Sequence, residues 1–338
     1  MKYGNVELHN VCDVSEGDEA PGMGISRLPL EILPDINENA RRMARMGSGS
    51  EIRGMLASSG EAKVVLQVMG DNTTPPVITV YHGCFCSQSI AASVGVPTEL
   101  TIKEPDRLAM MIEIAQREGH PFDPRLVRVK LSSVHPVRII SVEGNLSYPA
   151  NGSTPAKTLL SYGSSITHGS CAVAPESTYP AQCARLLGYD LINLGSGGSA
   201  RMEEPIAKHI ATRKDWNVAT FEMGINVRDW PVEKFHGVVE TFVCTVVSAQ
   251  PEKPIFCIDL FTYFDDFTVS PQYAVGFRDA VRDIVQSINS PKVHYVDGRD
   301  LLVHASGLRT DMVHPSDEGM HEIGQNLARV IRRFLSHA

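Results

Sequence analysis

The stretch Thr158-Leu-Leu-Ser-Tyr162 runs without a break into Gly163-Ser-Ser165-Ile-Thr-His-Gly169. The first part has the length and apolar character of a buried strand, and the second is a Gly-rich turn. Four more strand-like runs follow it along the chain: Asp190-Leu-Ile-Asn-Leu194, Val218-Ala-Thr-Phe-Glu222, Pro254-Ile-Phe-Cys-Ile258 and Val293-His-Tyr-Val296. Strands alternating with helices indicate an α/β layer architecture, so we predict a mainly parallel five-stranded sheet from Lys157 onward.

The segments between these runs carry apolar residues at helical spacing. Such a stripe is expected to face the sheet. Three predicted helices carry such a stripe, and the third of them follows Pro315. The stripe residues are Phe235, Val238, Val239, Phe242 and Val246 in the first helix, Phe277, Val281, Ile284, Val285 and Ile288 in the second, and Met320, Ile323, Leu327, Ile331 and Phe334 in the third.

The first part of the chain has a different pattern, with short runs of alternating or β-branched residues between turns. Period-two patterning at this spacing predicts an antiparallel β-sandwich of jelly-roll type, with one short helix around residues 36–46. A segment rich in Pro, Gly, Ser and Asn covers residues 147–156 and is typical of a linker. We therefore predict a β-sandwich domain at residues 1–150 and an α/β domain at residues 151–338.

Composition excludes several classes of protein. A net charge of −8 over 338 residues leaves no basic surface for nucleic acid. No signal-like N-terminus and no apolar run of membrane-spanning length is present, so we expect a cytoplasmic protein without a membrane partner. The seven scattered cysteines do not suggest a disulfide framework, and the close pair Cys84 and Cys86 lacks a second pair for zinc. We predict no metal and no cofactor, and the sequence does not indicate the oligomeric state.

Polar motifs follow the predicted strands. Ser165 lies in the first such loop, and Asp311-Met-Val-His314-Pro315 precedes the last helix. A serine hydroxyl is a weak nucleophile, so it needs a histidine to take its proton and an acid to orient that histidine. Because loops after parallel strands share one sheet edge, Ser165, His314 and Asp311 are predicted to form a catalytic triad.

These blocks resemble the SGNH hydrolases of the GDSL esterase/lipase superfamily over residues 157–334. The resemblance implies a three-layer, flavodoxin-like α/β domain with Ser165 as nucleophile, Gly198 and Asn226 as matches to the second and third family blocks, and Asp311 with His314 as the last. An oxyanion needs preorganised donors, which are expected to be the backbone N–H groups of Ser165 and Gly198 and the side-chain amide of Asn226.

Two positions depart from the family pattern. Ser164 stands where the family usually has an aspartate before the nucleophile, and Val227 follows the third-block asparagine where an aspartate is common. Neither belongs to the predicted triad or oxyanion hole. These departures put the hydrogen-bonding scaffold around the site in doubt more than the chemistry.

The whole chain resembles two-domain SGNH proteins whose front domain looks like a carbohydrate-binding module. This implies a serine carboxylesterase acting on small O-acyl esters such as O-acetylated carbohydrates. Two alternatives stay open: an acyltransferase with the same triad, and a non-catalytic carbohydrate-binding protein.

Other motifs in the catalytic half have plainer interpretations. The stretch Gly195-Ser-Gly-Gly-Ser-Ala200 formally matches a dinucleotide fingerprint, but it follows the second strand, and the acid about 20 residues on, Asp215, precedes its strand where a ribose-binding acid would stand at a strand end. Loop positions at the same predicted edge supply candidate substrate contacts, of which the arginines could equally form surface ion pairs. These candidates are His168, Arg201, Arg228 and Tyr263.

Overall fold

A computed structural model of the chain describes residues 1–17, 20–70, 74–269 and 272–336. The front half contains two antiparallel sheets, which confirms the predicted sandwich. In spatial order the first sheet comprises β1 (Lys2–Tyr3), β2 (Val6–His9), β5 (Glu51–Leu56), β10 (Leu126–Lys130), β7 (Val77–His82) and β8 (Phe85–Ala91), with β12 (Leu146–Ser147) beside β5. The second comprises β3 (Asp13–Ser15), β4 (Met23–Ser26), β11 (Val137–Gly144), β6 (Glu61–Val68) and β9 (Pro97–Lys103).

Alternating side chains form the core of the sandwich. Val64 and Leu66 from one sheet and Ile78 and Val80 from the other are fully buried in a single cluster. This is the outcome expected when period-two strands bury one face each.

The front half carries two helices. The first, α1 (Glu38–Ala44), lies within the predicted range. The second, α2 (Leu108–Glu118), was not predicted. It buries only Ala115 and leaves Met110 56% exposed, so its apolar residues do not form a clear buried stripe. Residues 108–118 are rich in Leu, Ala, Met, Glu and Gln, which favour helices, and this composition could have predicted α2.

The back half is built around a five-stranded parallel sheet, as predicted. Its strands are β13 (Thr158–Gly163), β14 (Asp190–Gly195), β15 (Val218–Glu222), β16 (Ile255–Ile258) and β17 (Val293–Val296), and their spatial order is β14-β13-β15-β16-β17. This is the flavodoxin-like order, in which the crevice for a ligand opens at the carboxyl ends of the strands around the first one. The predicted domain boundary at residues 150 and 151 falls between β12 and β13.

Helices cover both faces of this sheet. One hydrophobic cluster contains residues of α5 (Glu204–Thr212), α6 (Val232–Ala249) and α7 (Gln272–Ile288), and another contains residues of α4 (Tyr179–Leu187) and α9 (Asp317–Leu335). The short helices are α3 (Ser165–His168) and α8 (Gly298–Leu301), and 3-10 turns lie at Leu30–Asp35, Pro175–Ser177, Ile225–Val227, Phe264–Phe267 and Ala305–Gly307. No helix in the described part of the chain is both long and apolar enough to cross a membrane.

One predicted inward position was wrong. Phe334 is 39% exposed, although the other four members of its stripe are fully buried. It lies in the last turn of α9, where its ring packs 4.2 Å from the ring of His294 at the rim of the core.

The front domain covers the edge strand β14 with side chains. The outward-facing carbonyls of this strand accept hydrogen bonds from three residues: His9 Nε2 donates to Leu191 O at 2.6 Å, Asn10 Nδ2 to Asn193 O at 3.0 Å, and Arg27 to Asn193 O and Gly195 O at 2.7 and 3.0 Å. An uncovered edge would present these acceptors to another chain. The two domains are therefore joined by hydrogen bonds along the strand next to β13, the strand that leads into Ser165.

Arg27 is an unusual member of this contact. It is 2% exposed, and no carboxylate of the described residues lies within ion-pair distance of its guanidinium. Besides β14, it donates to the carbonyls of Met43 and Met46, next to α1. Burial lowers its pKa to about 10. Arg27 thus forms hydrogen bonds both to the α1 region and to the carboxyl end of β14.

A buried ionic cluster lies at the opposite end of β14. Arg53 forms two hydrogen bonds of 2.7 Å with the carboxylate of Asp190, the first residue of the strand. Glu51 accepts from both Arg53 and Arg128, the latter through two bonds of 2.8 and 2.6 Å. The Arg53–Asp190 and Arg128–Glu51 pairs are each joined by two hydrogen bonds, and such bidentate pairs are the strong form of the arginine–carboxylate interaction.

Candidate active site

Three polar side chains form a chain of hydrogen bonds at the carboxyl edge of the parallel sheet. The hydroxyl of Ser165 lies 2.8 Å from Nε2 of His314, and Nδ1 of His314 lies 2.8 Å from a carboxylate oxygen of Asp311. With Nδ1–H donating to Asp311, the lone pair on Nε2 is free to accept the serine proton. The structure thus brings together the three residues that the sequence analysis selected for a triad.

The last loop fixes Asp311 against His314. Asp311 Oδ1 accepts the backbone N–H groups of Val313 and His314, both at 2.9 Å, while Oδ2 receives the imidazole. Met312 adopts φ +56, which bends the chain tightly enough for this arrangement. Burial raises the pKa of Asp311, but the hydrogen bonds from His314 and Val313 outweigh it and hold the pKa below its usual range.

A buried glutamate supports the turn that carries Ser165. Glu222, the last residue of β15, accepts the backbone N–H of Ser164 at 2.6 Å and the hydroxyl of Thr167 at 3.1 Å. The hydroxyl of Tyr179 lies 2.7 Å from that of Thr167 and extends the network. Burial raises the pKa of Glu222.

The sequence analysis missed Glu222. The aspartate absent at Ser164 had raised doubt about the scaffold around the nucleophile, and a carboxylate from the neighbouring strand lies there. A signal was available, because Glu222 ends an otherwise fully buried strand just before a polar loop. A charged residue in such a position needs partners of its own.

The predicted oxyanion donors lie in the three loops after β13, β14 and β15. Asn226 Oδ1 accepts the backbone N–H of Ala200 at 3.0 Å, which leaves the amide nitrogen to point elsewhere. Among the described residues, no acceptor is recorded for this nitrogen or for the backbone N–H groups of Ser165 and Gly198. Unsatisfied donors on adjoining loops are what a developing oxyanion requires.

Two glycines shape the second loop. A Cβ on Gly195 would lie 2.3 Å from the backbone nitrogen of His168, so glycine is needed where β14 packs against α3. Gly198 has φ +66, a backbone conformation that favours glycine, and a Cβ there would meet open space. Close packing therefore requires glycine at position 195, whereas the backbone conformation favours glycine at position 198.

Two of the candidate substrate contacts are buried away from solvent. His168 is 1% exposed beside the front domain, where its carbonyl accepts from Ser48 Oγ at 2.7 Å, and burial lowers the pKa of its ring to about 3. Tyr263 is 3% exposed and its hydroxyl donates to Asp265. Neither side chain is therefore exposed at the open edge of the sheet, and their contact with a substrate stays a prediction.

The two arginines in the same set remain exposed. Arg201 has no recorded partner among the described residues, and Arg228 lies 5.7 Å from the ring centre of Phe264. Neither forms a recorded ion pair within the described part of the chain. Both are available to a ligand at this edge.

Metal ligands are not grouped at this edge. In the described ranges, no set of three or more His, Cys, Asp and Glu residues is arranged to hold a metal ion. The arrangement at the sheet edge is suited to chemistry by an activated hydroxyl, with a base, an orienting acid and unpaired donors nearby.

Comparisons with known proteins agree with this architecture. Residues 156–332 match the model of the GDSL-like lipase/acylhydrolase family. No curated protein matches the chain in a search by sequence.

Several solved structures share the fold over both domains. SsfX3, a salicylyl-acyltransferase from a tetracycline biosynthetic pathway, is 17% identical with a TM-score of 0.80, covering 98% of this chain and 95% of that one. A GDSL-like lipase from Bacteroides ovatus is 17% identical with a TM-score of 0.70, covering 92% of each chain. A family two carbohydrate esterase from Cellvibrio japonicus is 12% identical with a TM-score of 0.62, covering 98% of this chain and 96% of that one.

Proposed function

The chain belongs to the GDSL-like lipase/acylhydrolase family and is an SGNH-type ester hydrolase, and we propose that it is a serine carboxylesterase that cleaves small O-acyl esters through an acyl-enzyme on Ser165. The observation that carries this proposal is the unbroken path of hydrogen bonds from Ser165 through His314 to Asp311. It supplies a nucleophile, a base and an orienting acid in the roles that acyl transfer needs.

In the first half of the reaction, His314 Nε2 takes the proton of Ser165 as its oxygen attacks the ester carbonyl. The carbonyl oxygen then carries negative charge. The N–H groups of Ser165 and Gly198 and the amide of Asn226 are the proposed donors to it. His314 returns the proton to the leaving alcohol, and the acyl group stays on Ser165.

In the second half, water attacks the acyl-enzyme while His314 again acts as base, and collapse of the second tetrahedral intermediate releases the acid. Asp311 keeps its negative charge throughout and stabilises the imidazolium that forms in each half. Its pKa, held below the usual range, favours that charged form at neutral pH.

We propose O-acetylated carbohydrates as the substrate class. The Cellvibrio japonicus protein, which shares both domains, is a family two carbohydrate esterase. A polar alcohol moiety also agrees with the exposed guanidinium groups of Arg201 and Arg228 at this edge of the sheet. Such groups bind the hydroxyl and carbonyl oxygens of sugars more readily than an alkyl chain.

A second candidate activity is acyl transfer to an alcohol. It is favoured by SsfX3, which shares the fold over nearly the whole chain and is a salicylyl-acyltransferase. The two activities differ only in whether water or an alcohol resolves the acyl-enzyme. Product analysis with added alcohol acceptors separates them, since transfer yields a new ester in place of free acid.

The proposal is tested by turnover and by labelling. We expect an organophosphonate to label Ser165, and Ser165→Ala to lose labelling and to cut kcat by about 10⁴- to 10⁶-fold, because triad residues act as a unit. Hydrolysis is followed on p-nitrophenyl esters from acetyl to octanoyl and on acetylated sugars.

Ser170→Ala is the matched control, because Ser170 lies in the same turn outside the triad. It should keep both labelling and turnover. A tenth or more of the activity remaining in Ser165→Ala would remove Ser165 as the nucleophile. Preference for long acyl chains over acetylated sugars would overturn the substrate class while leaving the mechanism intact.

A further inference from the structure

A cavity lies between the two domains, apart from the hydrogen-bonded chain of Ser165, His314 and Asp311. It has a volume of about 390 Å³ and is bounded by the ionic cluster at the start of β14, by β7 and β10 of the sandwich and by α4. Asp190, in its wall, pairs in register with Thr158 at the amino end of β13, whereas Ser165 follows the carboxyl end of that strand. Asp190 therefore lies at the opposite end of the sheet from the loop that carries Ser165.

The walls of the cavity combine apolar surfaces from both domains. Phe122 and Pro121 contribute from the sandwich, and Pro175, Ala181 and Ala184 contribute from the α/β domain. The volume is in the range of small-molecule sites, which are mostly apolar with a few placed polar groups. A ligand here would touch both domains at once.

Two cations of the lining, Lys130 and the exposed Arg185, lack a carboxylate partner within ion-pair distance in the described part of the chain. Lys130 lines the cavity with its Nζ 4.5 Å from the ring centre of Tyr81, and no carboxylate oxygen in the described part of the chain lies within ion-pair distance of it. The neighbouring arginines are already satisfied, Arg128 by Glu51 and Arg53 by Asp190. Burial lowers the pKa of Lys130 to about 8, with the nearby charge of Arg128 acting in the same direction.

The surrounding charges limit the negative charge of the ligand. Arg128, Lys130 and Arg185 face the carboxylates of Glu51, Glu176 and Asp190 in the lining, and Arg53 behind Asp190 lies 4.0 Å from Glu7 as well. A dianion would meet three carboxylates with no excess cation to balance its second charge. A monoanion needs only the ammonium of Lys130, which is half-buried and has no carboxylate partner.

We propose that this interdomain cavity is a binding site for a small monocarboxylate with a hydrophobic body, whose carboxylate pairs with Lys130 while its body packs between Phe122 and α4. Binding would join the two domains at the amino end of β14, as the hydrogen bonds of His9, Asn10 and Arg27 join them further along. Such a ligand binds the assembled chain and not the separated domains, so it stabilises their contact.

Calorimetric titration of the full chain tests the proposal. Benzoate and hexanoate are the probes, benzyl alcohol is the uncharged comparison and phenylphosphonate the dianionic one. We expect at least one of the two carboxylates to bind and both comparisons to bind more weakly. Lys130→Met, which keeps the stem and removes the charge, should weaken carboxylate binding about tenfold or more, the usual effect of losing a charge-assisted hydrogen bond.

Three further variants make the result decisive. Lys253→Met is the matched control, because Lys253 also places its ammonium over an aromatic ring, 4.2 Å from the centre of Trp216, but outside the cavity. Ala181→Leu fills the cavity from α4 and should reduce binding without changing any charge. Ser165→Ala should leave binding unchanged, which separates this site from one that holds the product acid at the catalytic serine.

Several outcomes would overturn the proposal. These are absence of binding by both carboxylates, equal affinity in wild type and Lys130→Met, and loss of binding in Ser165→Ala. Tighter binding of phenylphosphonate than of benzoate would replace the monocarboxylate by a dianion. None of these outcomes bears on the esterase activity, which is measured separately on p-nitrophenyl acetate.

Discussion

At the scale of single residues, the proposed site depends on which atoms are left without partners. Asn226 shows this most directly, because its oxygen is used by Ala200 N–H and its nitrogen is not used by any described residue. The hydrogen bond from Ala200 N–H thus fixes the side-chain oxygen of Asn226, and this fixes the direction of the amide nitrogen. A donor held in this way needs no reorganisation when charge develops on the substrate.

Asn226→Ala is therefore expected to lower kcat by about 10²- to 10³-fold with little change in KM, since the amide acts on charge that exists only in the transition state. Steady-state kinetics on p-nitrophenyl acetate measures both constants. Asn226→Asp serves as the comparison, because it keeps the acceptor for Ala200 and removes the donor. A raised KM with unchanged kcat in Asn226→Ala would instead identify a group that binds the ground state.

Glu222 acts one layer below the nucleophile. In Glu222→Ala, the N–H of Ser164 loses its acceptor inside the protein and the hydroxyl of Thr167 keeps only Tyr179 as a partner, and a buried unsatisfied group costs about 1–3 kcal/mol. We expect a lower free energy of unfolding in urea together with a lower kcat. Glu222→Gln retains an acceptor oxygen and should recover much of both quantities, whereas equal losses in the two variants would indicate a requirement for the negative charge.

The three residues of the hydrogen-bonded chain, Ser165, His314 and Asp311, could be selected from the sequence because the family blocks carry them at fixed places after strands. Glu222 could not be selected with the same ease, since its partners Ser164 and Thr167 belong to a different strand unit, and only the sheet order makes them neighbours. The same holds for His168 and Tyr263. A loop position shows that a side chain can reach an edge, but not whether packing has already buried it.

At the scale of elements, β14 connects most of the features of this protein. Its carboxyl end leads into the loop of Gly198, its outer edge accepts hydrogen bonds from the front domain, and its first residue enters the buried ionic cluster. The strand was predicted from its apolar run. Its position at the edge follows only from the flavodoxin-like fold that the family resemblance implies, because no local pattern in the sequence contains the order of the strands.

The ion pair at the start of β14 gives a pH dependence of stability. Burial raises the pKa of Asp190, but the charge of Arg53 outweighs it and brings the pKa to about 2. A carboxyl whose pKa is lowered on folding contributes stability in full above about pH 4, and this contribution is lost as the pH falls through about 2. The shift corresponds to about 2 kcal/mol.

Asp190→Asn should therefore lower the free energy of unfolding at neutral pH and reduce the difference from wild type as the pH approaches 2. Urea unfolding at a series of pH values measures this. Asp297→Asn is the comparison, because Asp297 also pairs with an arginine, Arg299, but near the surface of the α/β domain. A constant gap between Asp190→Asn and wild type at every pH would contradict the lowered pKa.

At the scale of the whole molecule, the two domains form one unit along β14. A chain that begins at Ser153 would leave the carbonyls of Leu191, Asn193 and Gly195 without the donors of His9, Asn10 and Arg27. An exposed strand edge of this kind pairs readily with another chain. The α/β domain on its own is thus expected to associate as its concentration rises, which size-exclusion chromatography with light scattering would measure.

Leu191→Lys in that shortened chain places a charge on the exposed edge, and it should restore a monomer. If the shortened protein stays monomeric at high concentration without this change, the front domain is not required as an edge cover. Its effect on activity toward acetylated sugars, compared with p-nitrophenyl acetate, would then report on substrate shaping alone.

The presence of two domains was predictable from the change of period near residue 150, because strand alternation and helical stripes are local signals. How the domains join was not. Asn10 and Arg27 look like ordinary polar residues of a β-rich segment, and only the folded chain shows that they are buried against β14.

The cover of β14 also has a consequence for synthesis on the ribosome. Domains generally fold in the order in which they emerge, and His9, Asn10 and Arg27 precede β14 by more than 150 positions. The sandwich can therefore fold before β14 leaves the exit tunnel of the ribosome. A gene with the two halves exchanged would encode the same contacts. Each nascent chain would then expose the edge of β14 until the sandwich domain had been synthesised.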